Sequence, residues 1–328
     1  MVRVMLDAGR CRRTAAGLAV ILAIAGVQLG TGDGAAADLD GAAAMSGAPY
    51  GRIISLYGAH TENLLAMGAA DRLAGIDSLS TGLPRARGKP VFSYHDDPER
   101  FLAARPDLVL IRPMIERGYP RLVLRLKLSG IQVVSVQPTT VDQLEGYWRL
   151  LGRLCGQAER AEAMIRTFNA AVDEFRALSR RIETPRRVYF EAIHGKMKTF
   201  APQAMAIFAL ETAGGVNVAA DAPVRVGNNI AVYGKERLLA HAAEIDVLLS
   251  QIGAMNRVSV ADIVAEPGFS AIAAVKTGQV FLVDETIVSR PTPGLLKGIY
   301  RIGCLLYPDL YCVPGRRILA SAGIEFNP

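Results

Sequence analysis

The sequence is short of the residues that most often announce chemistry. Aromatic residues make up 6% of its 328 positions and tryptophan occurs once, at Trp148, so little favours a large planar cofactor held between stacked rings. There are four cysteines and no CxxC pair, which argues against a zinc site of the usual spacing. Histidine also occurs four times, with no His-rich loop and no evident set of four ligands for a bare metal ion. The GxGxxG, GxSxG and P-loop patterns are missing, which removes the commonest dinucleotide, hydrolase and phosphate-binding signatures. The net charge of +6 falls to +4 once residues 1–37, with four arginines and two aspartates, are set apart. The remaining basic residues are scattered rather than gathered, so nucleic-acid binding gains no support.

What is present is enough apolar residue, 51%, for one large or two medium cores, with two domains the default for this length. Residues 1–37 read as a cleavable signal peptide. Arg3, Arg10, Arg12 and Arg13 precede an apolar run over 15–29, and Ala35-Ala36-Ala37 supplies the small-residue cleavage site. The run is shorter than the roughly 20 residues that span a bilayer, and no cysteine follows it to carry a lipid. Arg12-Arg13 is also a twin-arginine pair, with Thr14-Ala15-Ala16 a poor continuation for that export route. A flexible leader rich in Ala and Gly follows over 38–49. Cys11 belongs to the signal and Cys155 stands alone. Cys304 and Cys312 are either a disulfide of an oxidising compartment or two buried thiols.

Beyond the leader, short apolar runs alternate with helical patterns. RIISLY (52–57) reads as a buried strand, Gly58-Ala59-His60 as a turn, and Thr61 as the N-cap of a helix through LLAMGAADRL. AGID, DLVLI and IQVVSV read as further strands, with PERFLAA and YPRLVLRLKLSG as helices between them. Residues 157–182 then form one long helix. Ala161, Met164, Ile165, Phe168, Val172, Phe175 and Leu178 recur at steps of three and four, and the charged residues fall on the other faces. After it the order repeats. RRVYFEAIH answers the first strand, QAMAIFALETAGG the first helix, KERLLAHAAEIDVLLS the PERFLAARPDLVLI segment, and TGQVFLVD answers SGIQVVSV. Within these pairs Glu236 stands for Glu99 and Asp246 for Asp107. Such alternation predicts an α/β fold of two Rossmann-like lobes with parallel sheets, joined by one long connecting helix. The lobes are expected over 50–140 and 184–328, with a helical connector over 141–183.

RIISLYGAHTENLLAMGAADRLAGID resembles the opening of the iron-siderophore and cobalamin class of periplasmic substrate-binding proteins, the helical-backbone or class III type. PERFLAARPDLVLI, GKERLLAHAAEIDVLL and GQVFLVD resemble later segments of that class in the same order, so the likeness covers about 50–310. The resemblance implies a monomeric periplasmic protein that needs no cofactor. It implies capture of a metal chelate, with an iron-siderophore favoured and haem or a corrinoid open, between two lobes that move little. It further implies delivery to the permease of an inner-membrane ABC importer, with Glu99 and Glu236 as one docking knob per lobe.

Ligands of open α/β sheets bind beyond the carboxyl ends of the strands. The polar groups expected there are Tyr57 and His60 after the first strand, Tyr94 and His95, Arg112 after DLVLI, His194 and Lys196, with Lys198 nearby, after VYFEAI, and Arg290 after GQVFLVD. The arginines and lysines suit an anionic chelate. Two alternatives remain at this point: bare metal held by His60, His95 and His194, and a Rossmann-like enzyme using Tyr57, His60 and His95 for acid–base work.

Overall fold

A computed structural model describes residues 48–224 and 227–325. The signal-peptide reading and most of the leader lie outside the described residues. The first lobe runs β1 (Ile53–Ser55), α1 (Gly58–Ala66), β2 (Leu73–Gly75), α2 (Pro98–Ala104), β3 (Leu108–Ile111), α3 (Pro113–Gly118), α4 (Pro120–Leu128) and β4 (Gln132–Ser135). Its strands pair in the order β2-β1-β3-β4, all parallel. Both faces of this sheet are covered, which is why its strands read as unbroken apolar runs rather than alternating ones. Ile53, Leu108 and Leu110 enter one core, and Ile54, Val109 and Ile111 enter the other.

The helix expected at Thr61 begins at Gly58 instead, because the Thr61 N–H already bonds to the Tyr57 carbonyl at 3.2 Å. Thr61 is therefore no N-cap. It is buried in the first turn, and its hydroxyl donates to Ser55 Oγ at 2.8 Å.

Two helices follow, α5 (Leu144–Leu154) and α6 (Ala158–Ser179). The long helix is thus present and four residues shorter than its pattern predicts. It buries Ala161, Ile165, Phe168, Ala171, Val172 and Phe175, with Met164 and Leu178 partly covered. Each large apolar side chain on that face contributes roughly 1.5–3 kcal/mol. The only tryptophan lies in α5 and is wholly buried. Its ring meets Phe168 edge-on at 5.1 Å, so it belongs to the core and not to a cofactor site.

The second lobe contains β5 (Arg187–Ile193), β6 (Lys198–Phe200), α7 (Met205–Thr212), β7 (Val216–Asn217), β8 (Ile230–Val232), α8 (Lys235–Ala240), β9 (Val247–Ile252), α9 (Val260–Ala265), α10 (Ala273–Lys276), β10 (Val280–Asp284) and α11 (Glu285–Val288). Strands β7-β5-β9-β10 are parallel neighbours, the same order as β2-β1-β3-β4. The repeat extends to single residues. Asp107, just before β3, accepts the N–H groups of Gly51 at 2.7 Å and Arg52 at 2.9 Å, and Asp246, just before β9, accepts that of Arg187 at 2.8 Å. In each lobe a carboxylate satisfies amides at the entry of the first strand.

The second sheet departs from the expected parallel form in one respect. Strands β6 and β8 are antiparallel to their neighbours. Only residues 194–197 separate β5 from β6, too few for the crossover that a parallel pair requires. Helices α12 (Leu295–Leu306) and α13 (Pro308–Ser321) close the chain and pack on α6. Cys304 and Cys312 neighbour each other across them as free thiols; burial, then the Cys312 thiol, push Cys304 up to about 12.

Candidate functional site

The strand order sets the site. Residues just beyond the carboxyl ends of strands from both sheets line one cavity of about 500 Å³, within the range of roughly 300–1,000 Å³ common for small-molecule sites. Tyr57 follows β1, Arg112 follows β3 and Gln137 follows β4. From the other lobe come Gln251 at the end of β9, Glu285 after β10, and Ser289 and Arg290 after α11. Two exposed apolar residues also face the cavity, Leu79 from the first lobe and Met255 from the second.

Positive charge is placed in this cavity in two ways. The Arg112 guanidinium lies over the Tyr57 ring, 4.7 Å from its centroid, and makes no ion pair among the described residues. The backbone orients it: Arg112 is the extended residue before Pro113, which opens α3. Burial raises the Tyr57 phenol, while Arg112 and Arg290 pull it back, so Tyr57 stays neutral. Arg290 does have a partner. It reaches across the lobes to the Glu62 carboxylate on α1, and both side chains are largely buried, at 13% and 21% exposed. Gly58 leaves room for this reach, since a Cβ there would lie 2.9 Å from Arg290 Nη1. The next residue is held as well, for the Pro291 carbonyl accepts from Asn63 Nδ2 at 2.9 Å and from Trp148 Nε1 at 3.1 Å.

Five of the eight expected ligand residues line the cavity: Tyr57, Tyr94, His95, Arg112 and Arg290. Tyr119 supports two of them. Its hydroxyl lies 3.1 Å from His95 Nδ1, and its ring is 4.8 Å from that of Tyr94. His60, His194 and Lys196 lie elsewhere. His60 is fully buried, with Nε2 donating to the Ile111 carbonyl at 3.2 Å and Nδ1 accepting from the Tyr147 hydroxyl at 2.6 Å. Burial lowers it to about 4, so it is neutral and fixed in one tautomer. His194 turns behind the wall toward Glu191, with Nδ1 2.9 Å from Oε1. Lys196 is exposed in the turn after β5, and neither it nor Lys198 lines the cavity.

The three histidines of the bare-metal alternative are therefore not brought together. Among the described residues no three His, Cys, Asp or Glu side chains are grouped to hold a metal ion. The proposed acid–base trio of the enzyme alternative is broken in the same way, by the enclosure of His60. Residues the sequence reading missed include Leu79, Gln137, Gln251, Met255, Glu285 and Ser289. Gln137 and Gln251 were findable, because both sit where a strand ends. Leu79 and Met255 gave no such signal, being apolar.

Glu99 and Glu236 are exposed and occupy the first turns of α2 and α8, matching places in the two lobes. Glu99 pairs with Arg125 at 2.9 Å. A carboxylate is favoured in such a turn by the helix dipole alone.

Comparison with known proteins agrees with this architecture. An uncharacterized ABC transporter substrate-binding lipoprotein of Bacillus subtilis, YvrC, is 22% identical over 79% of this chain and 81% of its own. A cobalamin-binding protein of Halobacterium salinarum is 25% identical over 76% and 68%. The solved structure of the periplasmic heme-binding protein RhuT from Roseiflexus sp. RS-1 superposes with a TM-score of 0.65 at 23% identity, covering 80% of this chain and all of that one. These relatives are substrate-binding proteins and not enzymes, which sets the enzyme alternative aside, and substrate-binding proteins of ABC transporters work with a permease. The family model described as periplasmic binding protein matches residues 53–286, and the chain belongs to that family.

Proposed function

We propose that the protein captures an anionic metal chelate of the iron-siderophore class in the interlobe cavity and delivers it to an ABC importer. The observation that carries this reading is Arg112, a cation at the cavity wall without an acidic partner among the described residues. An unpaired guanidinium in a partly desolvated site favours a carboxylate or phenolate-type oxygen, and its fork suits two of them at once. Tyr57, Tyr94, His95 and Arg290 are the other residues offered to the ligand. A macrocyclic chelate, haem or a corrinoid, is the second reading. Leu79 and Met255, exposed by 63% and 61% at the cavity, favour it by offering apolar contact from both lobes. The cobalamin-binding and heme-binding relatives point the same way.

Export through residues 1–37 would bring the protein to the compartment where such ligands arrive. Glu99 and Glu236 would then mark the permease-facing side of each lobe.

Calorimetric titration with an iron tris-catecholate, hemin and cyanocobalamin tests the reading. The tris-catecholate is expected to bind, and Arg112→Ala to weaken it at least tenfold, about 1.4 kcal/mol. Retention of full affinity in the Arg112→Ala variant would refute the anionic-site reading, and binding of cyanocobalamin alone would favour the macrocycle.

A further inference from the structure

Behind the cavity wall the second lobe contains a glutamate with no exposure at all, Glu191 on β5. A buried carboxylate is costly unless its oxygens are fully bonded, and here both are. Oε1 meets His194 Nδ1 at 2.9 Å, and Oε2 accepts from the Ser250 hydroxyl at 2.8 Å. Ser250 in turn accepts from Asn256 Nδ2 at 3.1 Å, and the same amide group donates to the Gln251 carbonyl at 2.6 Å. The other end of Asn256 accepts the His194 backbone N–H at 3.0 Å. Asn256 is thus clasped between the histidine and the end of β9, and its carbonyl accepts from Gly253 N–H at 3.0 Å.

The segment folded over this clasp is the cavity wall. Gln251, Ala254 and Met255 line the cavity, and Gln251 Oε1 accepts from Ser289, next to Arg290, at 2.7 Å. Gly253 runs directly against Glu285, so the segment has little room to shift sideways. Neither Glu191 nor His194 lines the cavity themselves.

We propose that Glu191 and His194 are positioning residues of the ligand cavity, holding residues 251–256 in place through Ser250 and Asn256 and making that wall responsive to pH. The charged and titratable groups facing His194 are Glu191 on its own strand, Asp262 on α9, Glu266 just after α9 and, joined to Glu266, Lys235 at the start of α8. Glu266 Oε2 lies 3.7 Å from His194 Nε2, and the Phe269 ring meets the imidazole edge-on at 5.8 Å. Three carboxylates against one paired lysine favour the imidazolium. The Glu191 hydrogen bond, acting against desolvation, raises His194 above its ordinary 6.5. The sign follows: the stabilisation His194 contributes is fully present below pH 6.5 and is lost as pH rises through the raised value.

The test needs no ligand and so stands apart from the proposed function. In purified protein carrying carbon-13 methyl groups on methionine, the Met255 signal is assigned with Met255→Leu and followed from pH 5 to 9 beside the His194 ring protons. The two are expected to titrate together, with a midpoint above 6.5. Glu191→Gln lowers that midpoint. Asn256→Ala leaves the His194 titration intact and removes the Met255 response. A Met255 signal that ignores pH in the unaltered protein overturns the proposal, as does one that still follows His194 in Asn256→Ala. A merely structural network would lower thermal stability in these variants and leave the Met255 signal independent of the His194 titration.

Discussion

Glu62 is the acid that shares Arg290 with the cavity, and its removal is expected to weaken the fold and strengthen anion binding together. Breaking a fully buried ion pair by deleting one member costs roughly 3–5 kcal/mol, mostly for the charge left behind. Arg290 keeps 13% exposure and borders the cavity, so its stranded guanidinium regains some solvation there. About 2 kcal/mol is therefore the expected loss for Glu62→Ala, or about 4 °C in Tm at the low end of the usual conversion for a chain of this size. Glu62→Gln retains an acceptor and loses less. At the cavity the sign reverses. Without the carboxylate, Arg290 contributes its whole charge to an anionic ligand. Unit charges 4 Å apart interact by between ~1 and ~4 kcal/mol from bulk water to a protein surface, so a gain near the lower figure is expected, about fivefold in Kd. In anion binding, though not in stability, mild acid should act as the Gln variant does. Burial raises the Glu62 carboxyl above 4.5 against the pull of Arg290, so it takes up its proton before an exposed glutamate would. Its contribution to stability is accordingly present below 4.5 and lost as pH rises through the raised value. Differential scanning fluorimetry and calorimetry with the anionic chelate measure the two effects. A lower Tm with unchanged or weaker binding in both variants would refute the reasoning, leaving Arg290 a strut with no ligand role.

Two further outcomes are expected. His60→Ala leaves the Tyr147 O–H without an acceptor, at roughly 1–3 kcal/mol for that buried donor, while the Ile111 carbonyl keeps the Val136 N–H; chemical denaturation should register that loss while ligand affinity stays unchanged. Because His60 falls from 6.5 to about 4 on folding, its contribution, on the order of 3 kcal/mol, is present above pH 6.5 and lost as pH falls toward 4; a His60→Gln variant should lack that slope in urea midpoints between pH 4 and 6.5. Charge reversal at Glu99 together with Glu236 is expected to abolish uptake in cells and leave the Kd of the purified protein within twofold, since both residues stand away from the cavity; a tenfold loss of affinity would count against a docking role.

What could be read from the sequence follows the range of the forces involved. The parallel strands β1 to β5, β9 and β10 were legible, several because burial on two faces writes an unbroken apolar run into local sequence, as in DLVLI and VLLS, whereas the short β6, β7 and β8 were not read. Tyr57 and Arg112 were legible because a strand end is a local feature. His60 was not, since the helix starts at Gly58 and carries it inward to Tyr147, a partner 87 positions away. His194 was misjudged for a nearer reason: Glu191, three residues earlier, captures its ring from inside the sheet. Helices α12 and α13 escaped the reading because Gly298, Gly303 and Gly315, with Pro314, interrupt their patterns; Tyr311 seated on Gly303 and Tyr300 on Gly315 show that tertiary packing recovers what propensity loses.

The long helix acquires a different meaning from these contacts. A single helical connection would leave rotation about its own ends as the soft motion between lobes, however stiff the helix itself. The loop at 290–292 removes that freedom, because it belongs to the second lobe and is gripped by the first through Glu62 and Asn63 and by α5 through Trp148. Two attachments at separate points fix an angle where one does not. The Arg290–Glu62 contact also borders the cavity, so the attachment most easily loosened is the one that a ligand's own charge competes for. Adjustment on binding is then expected at Arg290, with the wall segment 251–256 held by its clasp and the apolar face of α6 seated on α12 and α13.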